Sequence, residues 1–238
     1  MPSKGKTKKV AIFDVDGTIF RSSLLIEVIE TLVQMGVFPA DARRAYARAQ
    51  KKWTDRQGTY EKYLFAMIDV YPKYIKGVKY DDYMEAVKKV GFFHKNRVYR
   101  YTRALVKKLK KEKYYLLAIS GSPFELVRDF CQGWGFDKVY GRIFEVDKKG
   151  KFTGKVLFTD LIGDKAKTLM RAVKKEGLTL KDSYGIGDSE TDIAIMKIVD
   201  NPVCFNPNRK LYAAAKTAGW KIVVERKDVV YNIDGSKK

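Results

Sequence analysis

Residues 8–20 read KKVAIFDVDGTIF, and this stretch decides the fold. The short apolar run Val10–Phe13 reads as a buried strand. It stops abruptly in Asp14-Val15-Asp16-Gly17-Thr18. In extended backbone alternate side chains share a face, so Asp14 and Asp16 are expected to point the same way. Two like charges held that close repel unless a cation or a proton sits between them. The pair is either a chance placement at a strand end or half of a metal site.

Working outward, Leu24 to Met35 has helical spacing and ends at Gly36. Residues 40–94 hold no convincing strand. Their apolar and aromatic residues recur at spacings of three and four, punctuated by Pro39, Gly58, Pro72 and Gly77. From Val98 the pattern changes to helices alternating with short apolar runs: Tyr114–Ile119, a hairpin-like pair over 138–158, SYGIGD, VCF and WKIVV. Such alternation predicts an α/β fold, a Rossmann-like doubly wound parallel sheet with an inserted α-helical cap. The expected division is a basic tail at 1–8, a core formed by 9–21 and 96–234, a cap at 22–95, and a tail at 235–238.

In a doubly wound sheet the working groups collect where strands end and helices begin. Three such ends stand out: FDVDGT, AISGS and GIGDSETD, with Lys165 at a helix start between the last two. Asp14, Asp16 and Asp188 offer hard oxygen ligands suited to Mg²⁺, which takes a few carboxylates plus water and phosphate oxygens. Ser120, the amide near Gly121 and Lys165 offer hydrogen bonds and positive charge to a phosphoryl group. Each has a plainer alternative: Asp188 and Ser120 also suit caps or turns, and Asp192 also suits the first turn of a helix.

In that order, DVDGT, ISGS, Lys165 and GDSETD resemble the four motifs of the haloacid dehalogenase superfamily, over nearly the whole chain. The helical insert and the run GDSETDIAIMKIVDNPVCFNPN are similar to its phosphoserine-phosphatase-like branch. The resemblance implies a phosphatase. Asp14 attacks phosphorus, and Asp16 protonates the leaving oxygen and later takes a proton from water. Asp14, the main-chain carbonyl of Asp16 and Asp188 hold Mg²⁺. Ser120, Gly121 and Lys165 bind the phosphoryl group, and Asp192 orients Lys165 or a metal-bound water. Lys165 is preferred to Lys167 because Leu169, four residues on, matches the family's apolar position.

The resemblance has one departure. Phosphoserine phosphatases carry a glutamate nine positions after the nucleophile, and here that position is Ser23. Arg21 and Ser23 beside the first motif, and Arg56 with Trp53 and Tyr60 in the cap, are the candidates for contacts beyond the phosphate. Glu27 is the only nearby acid. His94 is the only histidine, and a structural role is expected for it.

Bulk properties set the remaining bounds. Lys and Arg total 48 against 28 Asp and Glu, a formal net charge of +20, which favours anionic partners. The lysines are scattered, so a generally basic surface is favoured, with a nucleic acid or other polyanion as the alternative partner. No apolar run approaches the ~20 residues of a membrane span. Only Cys131 and Cys204 are present, too few for a disulfide framework, and a cytoplasmic location is expected. A small phosphate ester is the expected substrate, and a monomer or homodimer the expected state.

Overall fold

The computed structural model describes residues 7–233. The expected tails therefore lie outside the described residues, apart from Thr7 and Lys8. Lys8 is already in β1 (Lys8–Phe13), whose last four residues are buried. After β1 come helices α1 (Leu24–Gln34), α2 (Asp41–Thr54), α3 (Tyr60–Ile75), α4 (Tyr80–His94) and α5 (Arg100–Lys111). The chain continues through β2 (Tyr115–Pro123), α6 (Phe124–Gln132), β3 (Lys138–Val146), β4 (Phe152–Leu157), α7 (Thr159–Ile162) and α8 (Lys165–Glu176). It ends with β5 (Leu178–Gly187), α9 (Ile193–Met196), β6 (Asn201–Phe205), α10 (Arg209–Ala218), β7 (Lys221–Arg226) and β8 (Val229–Ile233).

One eight-stranded sheet has the order β4-β3-β2-β1-β5-β6-β7-β8. The six inner strands are parallel, and the edge strands β4 and β8 are antiparallel to their neighbours. The architecture is α/β, with a parallel-dominated sheet and an inserted helical block. Parallel strands need helices over both faces, which is why β1 is apolar on both sides rather than alternating. The chain leaves β1 for β2 on one side and returns to β5 on the other. The carboxyl end of β1 is therefore the point where strand order reverses, and a crevice opens there.

The helices between β1 and β2 do not have a core of their own. One apolar cluster runs from Phe13, Val15 and Leu116 through Leu25, Val28 and Leu32 on α1 to Tyr46, Met67, Tyr71 and Tyr83. The loop between α3 and α4 is also tied to the β3–β4 hairpin. Gly77 N–H donates to Phe152 O at 2.7 Å, and Phe152 N–H donates to Val78 O at 3.0 Å. The Tyr83 and Phe152 rings pack edge to face at 5.1 Å.

Three expectations change in detail. Pro72 does not interrupt α3, which continues to Ile75. It removes one amide donor near the helix end, where few carbonyls are left to lose a partner. The helix expected from Glu190 is a single 3₁₀ turn, 190–192, followed by the four residues of α9. The strand β8 falls where none was expected. Among the described residues no helix is long and apolar enough to cross a membrane. Cys131 and Cys204 are buried free thiols.

Candidate active site

β1 runs out at Phe13, and Asp14 stays seated on the sheet through its N–H to Ile186 O at 2.9 Å. The chain then turns tightly, with the amides of Ile19 and Phe20 both donating to Val15 O at 2.9 Å. Gly17 makes this turn possible. Its φ is +75°, in the left-handed region, and a Cβ there would overlap Asp188 Oδ2. The two carboxylates reach the site on different partners, Lys165 for Asp14 and Ser120 for Asp16.

Asp14 faces Lys165, the first residue of α8. Lys165 Nζ donates to Asp14 Oδ1 at 2.7 Å and to Asp192 Oδ1 at 2.6 Å. All three side chains are nearly dry, with relative exposures of 11% for Lys165, 8% for Asp14 and 2% for Asp192. Thr18 Oγ1 donates to the other Asp14 oxygen at 3.4 Å, and Thr102 Oγ1 donates to Thr18 O at 2.9 Å. Lys167 points elsewhere: it is half exposed, and its Nζ donates to Asp160 at 3.2 Å.

Asp192 does two jobs with its two oxygens. Oδ1 takes Lys165, and Oδ2 accepts the amides of Asp188 at 3.2 Å and Ser189 at 3.1 Å. That capping arrangement fixes the loop carrying Asp188. Asn208 N–H donates to Asp188 O at 2.7 Å and pins the same loop from α10.

Carboxylate oxygens of Asp14, Asp188 and Asp192 all lie within 4.8 Å of one another. Burial raises Asp14 to about 7, with the charges of Asp192 and Asp16 adding to it and Lys165 working against it. Burial, then Asp14 and Asp192, push Asp188 well above the usual carboxylate range. Burial alone would lower Lys165, but its two carboxylate partners outweigh that and hold it protonated. Three carboxylates against one ammonium leave a formal excess of two negative charges. A small dication with oxygen preference matches both the charge and the donor set.

Asp16 sits on the other side of the crevice. Its carboxylate accepts from Ser120 Oγ at 2.7 Å and from Leu24 N–H at 2.5 Å, which ties the end of β2 to the start of α1. Ser120 is buried, and its Oγ also accepts Ser122 N–H at 3.0 Å. Gly121 is exposed and has open space where a Cβ would go.

The remaining candidates are more scattered. The Tyr60 hydroxyl, on α3, is pushed up by burial and by the charges of Asp16 and Asp188. Trp53 packs against Tyr60 at 5.4 Å, and the Arg56 guanidinium lies 5.7 Å from the Trp53 ring on the exposed side. Arg21 is exposed and covers the Tyr99 ring at 5.6 Å. Ser23 is buried just before α1 and makes no side-chain cap. Glu27 is already paired, to Arg97 at 2.8 Å and to His94 at 3.3 Å. Thr18 and Asn208 were not picked out by sequence reasoning. Both lie inside quoted motifs, but only their contacts distinguish them from turn and cap residues.

The family model for haloacid dehalogenase-like hydrolases matches residues 11–197. Among curated proteins, a histidinol-phosphatase from Neisseria meningitidis is 25% identical over 234 residues, 91% of this chain and 98% of that protein. A protein of unknown function from Bordetella pertussis Tohama I has a similar fold, with a TM-score of 0.71 at 18% identity over 91% of this chain and 98% of that one. A phosphoserine phosphatase solved as a phospho-aspartyl intermediate analogue superposes with a TM-score of 0.63 at 22% identity, covering 94% and 96%. The chain belongs to the haloacid dehalogenase-like hydrolase family.

Proposed function

We propose that the protein is a Mg²⁺-dependent phosphomonoesterase that hydrolyses a small phosphorylated metabolite through an aspartyl-phosphate. One arrangement carries this reading: Asp14 is held by Lys165 on one side of the crevice, and Asp16 is held by Ser120 and Leu24 N–H on the other. A nucleophile and a separate proton carrier then face the same phosphoryl group.

Asp14, the main-chain carbonyl of Asp16 and Asp188 are the residues that would hold the ion. When bound, it neutralises charge between an anionic nucleophile and an anionic ester. An Asp14 carboxylate oxygen attacks phosphorus, and the ester P–O bond breaks with its electron pair leaving on oxygen. The Asp16 carboxyl gives that oxygen its proton. Asp16, now ionised, takes a proton from water as the water oxygen attacks phosphorus. The acyl-phosphate P–O bond breaks, releasing inorganic phosphate and restoring Asp14. Lys165 and the Gly121 amide neutralise the phosphoryl oxygens, and Asp192 keeps Lys165 aimed at them. Phosphoryl transfer asks for little beyond such positioning and charge.

The test is a panel of phosphorylated metabolites and 4-nitrophenyl phosphate, assayed with Mg²⁺ and with excess chelator. Release of phosphate only with the metal is expected. Full activity in chelator, or none on any monoester, contradicts the reading.

A further inference from the structure

Phe92 and Phe93, in the last turn of α4, are each 72% exposed. The buried stripe of that helix, Tyr83, Ala86, Val87 and Val90, ends before them. Their rings pack edge to face on one another, with centroids 5.2 Å apart and planes at 85°. The two side chains therefore form one apolar knob standing in water. Single exposed apolar residues are ordinary, but grouped large ones rimmed by polar residues mark a surface for a partner.

The rim of this knob is cationic. Lys88, Lys89, Lys95 and Arg97 flank it in sequence and are exposed. The acids that reach this end of α4 are already matched. Glu85 takes Lys89 at 2.9 Å, and Glu27 takes Arg97 at 2.8 Å. Asp129 on α6, which abuts Gly91, is acted on by Arg128 and Lys88. Lys95 forms no ion pair among the described residues. The knob thus carries an excess of positive charge, while the other end of the same helix carries Asp81 and Asp82.

We propose that this end of α4 docks the protein on an anionic lipid bilayer. The two phenyl rings enter the boundary between headgroups and acyl chains, and the surrounding Lys and Arg meet the headgroup phosphates. Charge complementarity selects this occupant. A second copy seated on the same patch would set these cations against their own images. A single-stranded nucleic acid stacks successive bases on open ring faces, whereas here one ring closes its edge on the face of the other. The formal net charge of +20 draws the whole chain toward such a surface. The docking end also adjoins the segment that leaves the first motif: Arg21 N–H donates to Arg97 O at 2.9 Å, and the His94 and Phe20 rings lie 6.3 Å apart. The inference is independent of the phosphatase reading, and either can fail alone.

The test is co-sedimentation of the full chain with vesicles of phosphatidylcholine alone, and of phosphatidylcholine mixed equally with phosphatidylglycerol, at low and high salt. The wild type is expected to favour the anionic vesicles roughly tenfold at low salt and to lose most of that preference at high salt. Phe92→Ser combined with Phe93→Ser is expected to weaken anionic-vesicle binding roughly tenfold at unchanged Tm, because the rings it removes support no core. Lys88→Gln with Lys95→Gln is expected to weaken it roughly tenfold too. Lys174→Gln with Lys175→Gln, an equal charge loss at exposed positions on α8, is expected to stay within about twofold. Absence of binding to the anionic vesicles overturns the proposal without any variant. So does binding that the phenylalanine substitutions leave unchanged. Equal losses for the two lysine pairs assign the attraction to a diffuse basic surface and overturn it as well. A dimer seen by light scattering, or binding to an oligothymidine, that the phenylalanine substitutions abolish while vesicle binding is absent, gives the knob to a second copy or to a nucleic acid instead.

Discussion

Lys165 Nζ is 2.7 Å from Asp14 Oδ1, and both side chains are almost fully buried. Removing the ammonium leaves a cluster of buried carboxylates with nothing inside the protein to balance it. Breaking a buried pair costs about 3–5 kcal/mol because the surviving charge is stranded. Lys165→Ala should therefore lower stability in metal-free buffer by about that amount and cut kcat at least a hundredfold. Lys167→Ala, whose partner Asp160 is exposed, should stay within about 0.5 kcal/mol. Denaturant melts and initial rates on both variants check this, and comparable losses in the two would contradict the assignment of Lys165.

The same cluster predicts a metal signature in stability. Asp14, Asp188 and Asp192 repel one another without a cation. A ligand that binds only the folded state stabilises it, by about 2.7 kcal/mol at a hundred times its Kd. For a domain of this size that is a rise in Tm on the order of 5–10 °C. Asp188→Asn relieves part of the repulsion, so the metal-free variant should be at least as stable as wild type and should respond little to Mg²⁺. Equal Mg²⁺ responses in the two proteins would remove Asp188 from the ion's ligands.

L-Phosphoserine should be a poor substrate. Its ammonium needs a carboxylate, and Ser23 supplies none. Glu27 is committed to Arg97 at 2.8 Å and His94 at 3.3 Å, so it does not fill the gap. A buried unpaired charge typically costs about 2–5 kcal/mol, or roughly thirty-fold to several-thousand-fold in binding. kcat/KM for phosphoserine should fall below that of a sugar, polyol or nucleotide monophosphate, and Ser23→Glu should raise it. A wild-type preference for phosphoserine over the whole panel would show that the cap supplies the acid from elsewhere.

How much of this was readable in advance follows from how local each feature is. Asp14, Asp16, Ser120, Lys165 and Asp188 each sit where a strand meets a turn or a helix starts, so short motifs expose them. The parallel run of the inner strands follows from the same alternation. Pairings distant in sequence were not readable. Glu27 meets Arg97 seventy residues away. β8 escaped because VVYNI is largely exposed and follows a turn at Lys227, whose φ is +54° without a glycine to signal it.

Glu125 offers a pH test away from the crevice. Its Oε2 is buried without a partner, as are the Tyr71 and Tyr83 hydroxyls. Burial raises its proton affinity above the usual range. A carboxyl whose folded value is raised contributes stability below its unfolded value, about 4.5. That contribution is lost as pH rises through the folded value. Glu125→Gln mimics the protonated form at every pH. It should match wild type near pH 4 and exceed it at pH 7.5 by about 1 kcal/mol, the scale of one unsatisfied buried group. Urea melts at the two pH values check the sign, and a constant difference across them would contradict it.

The central claim is that Asp14 becomes phosphorylated and Asp16 moves the protons. In Asp16→Asn an aryl leaving group still departs without an acid, but water attack lacks its base, so the intermediate should accumulate. The direct measurement is mass spectrometry of Asp16→Asn, acid-quenched after mixing with 4-nitrophenyl phosphate and Mg²⁺. The account predicts one phosphoryl group on the peptide containing Asp14, removed by hydroxylamine and absent from Asp14→Asn. Phosphate release with no phosphoryl group on that peptide, or a phosphoryl group on Ser120, would contradict it.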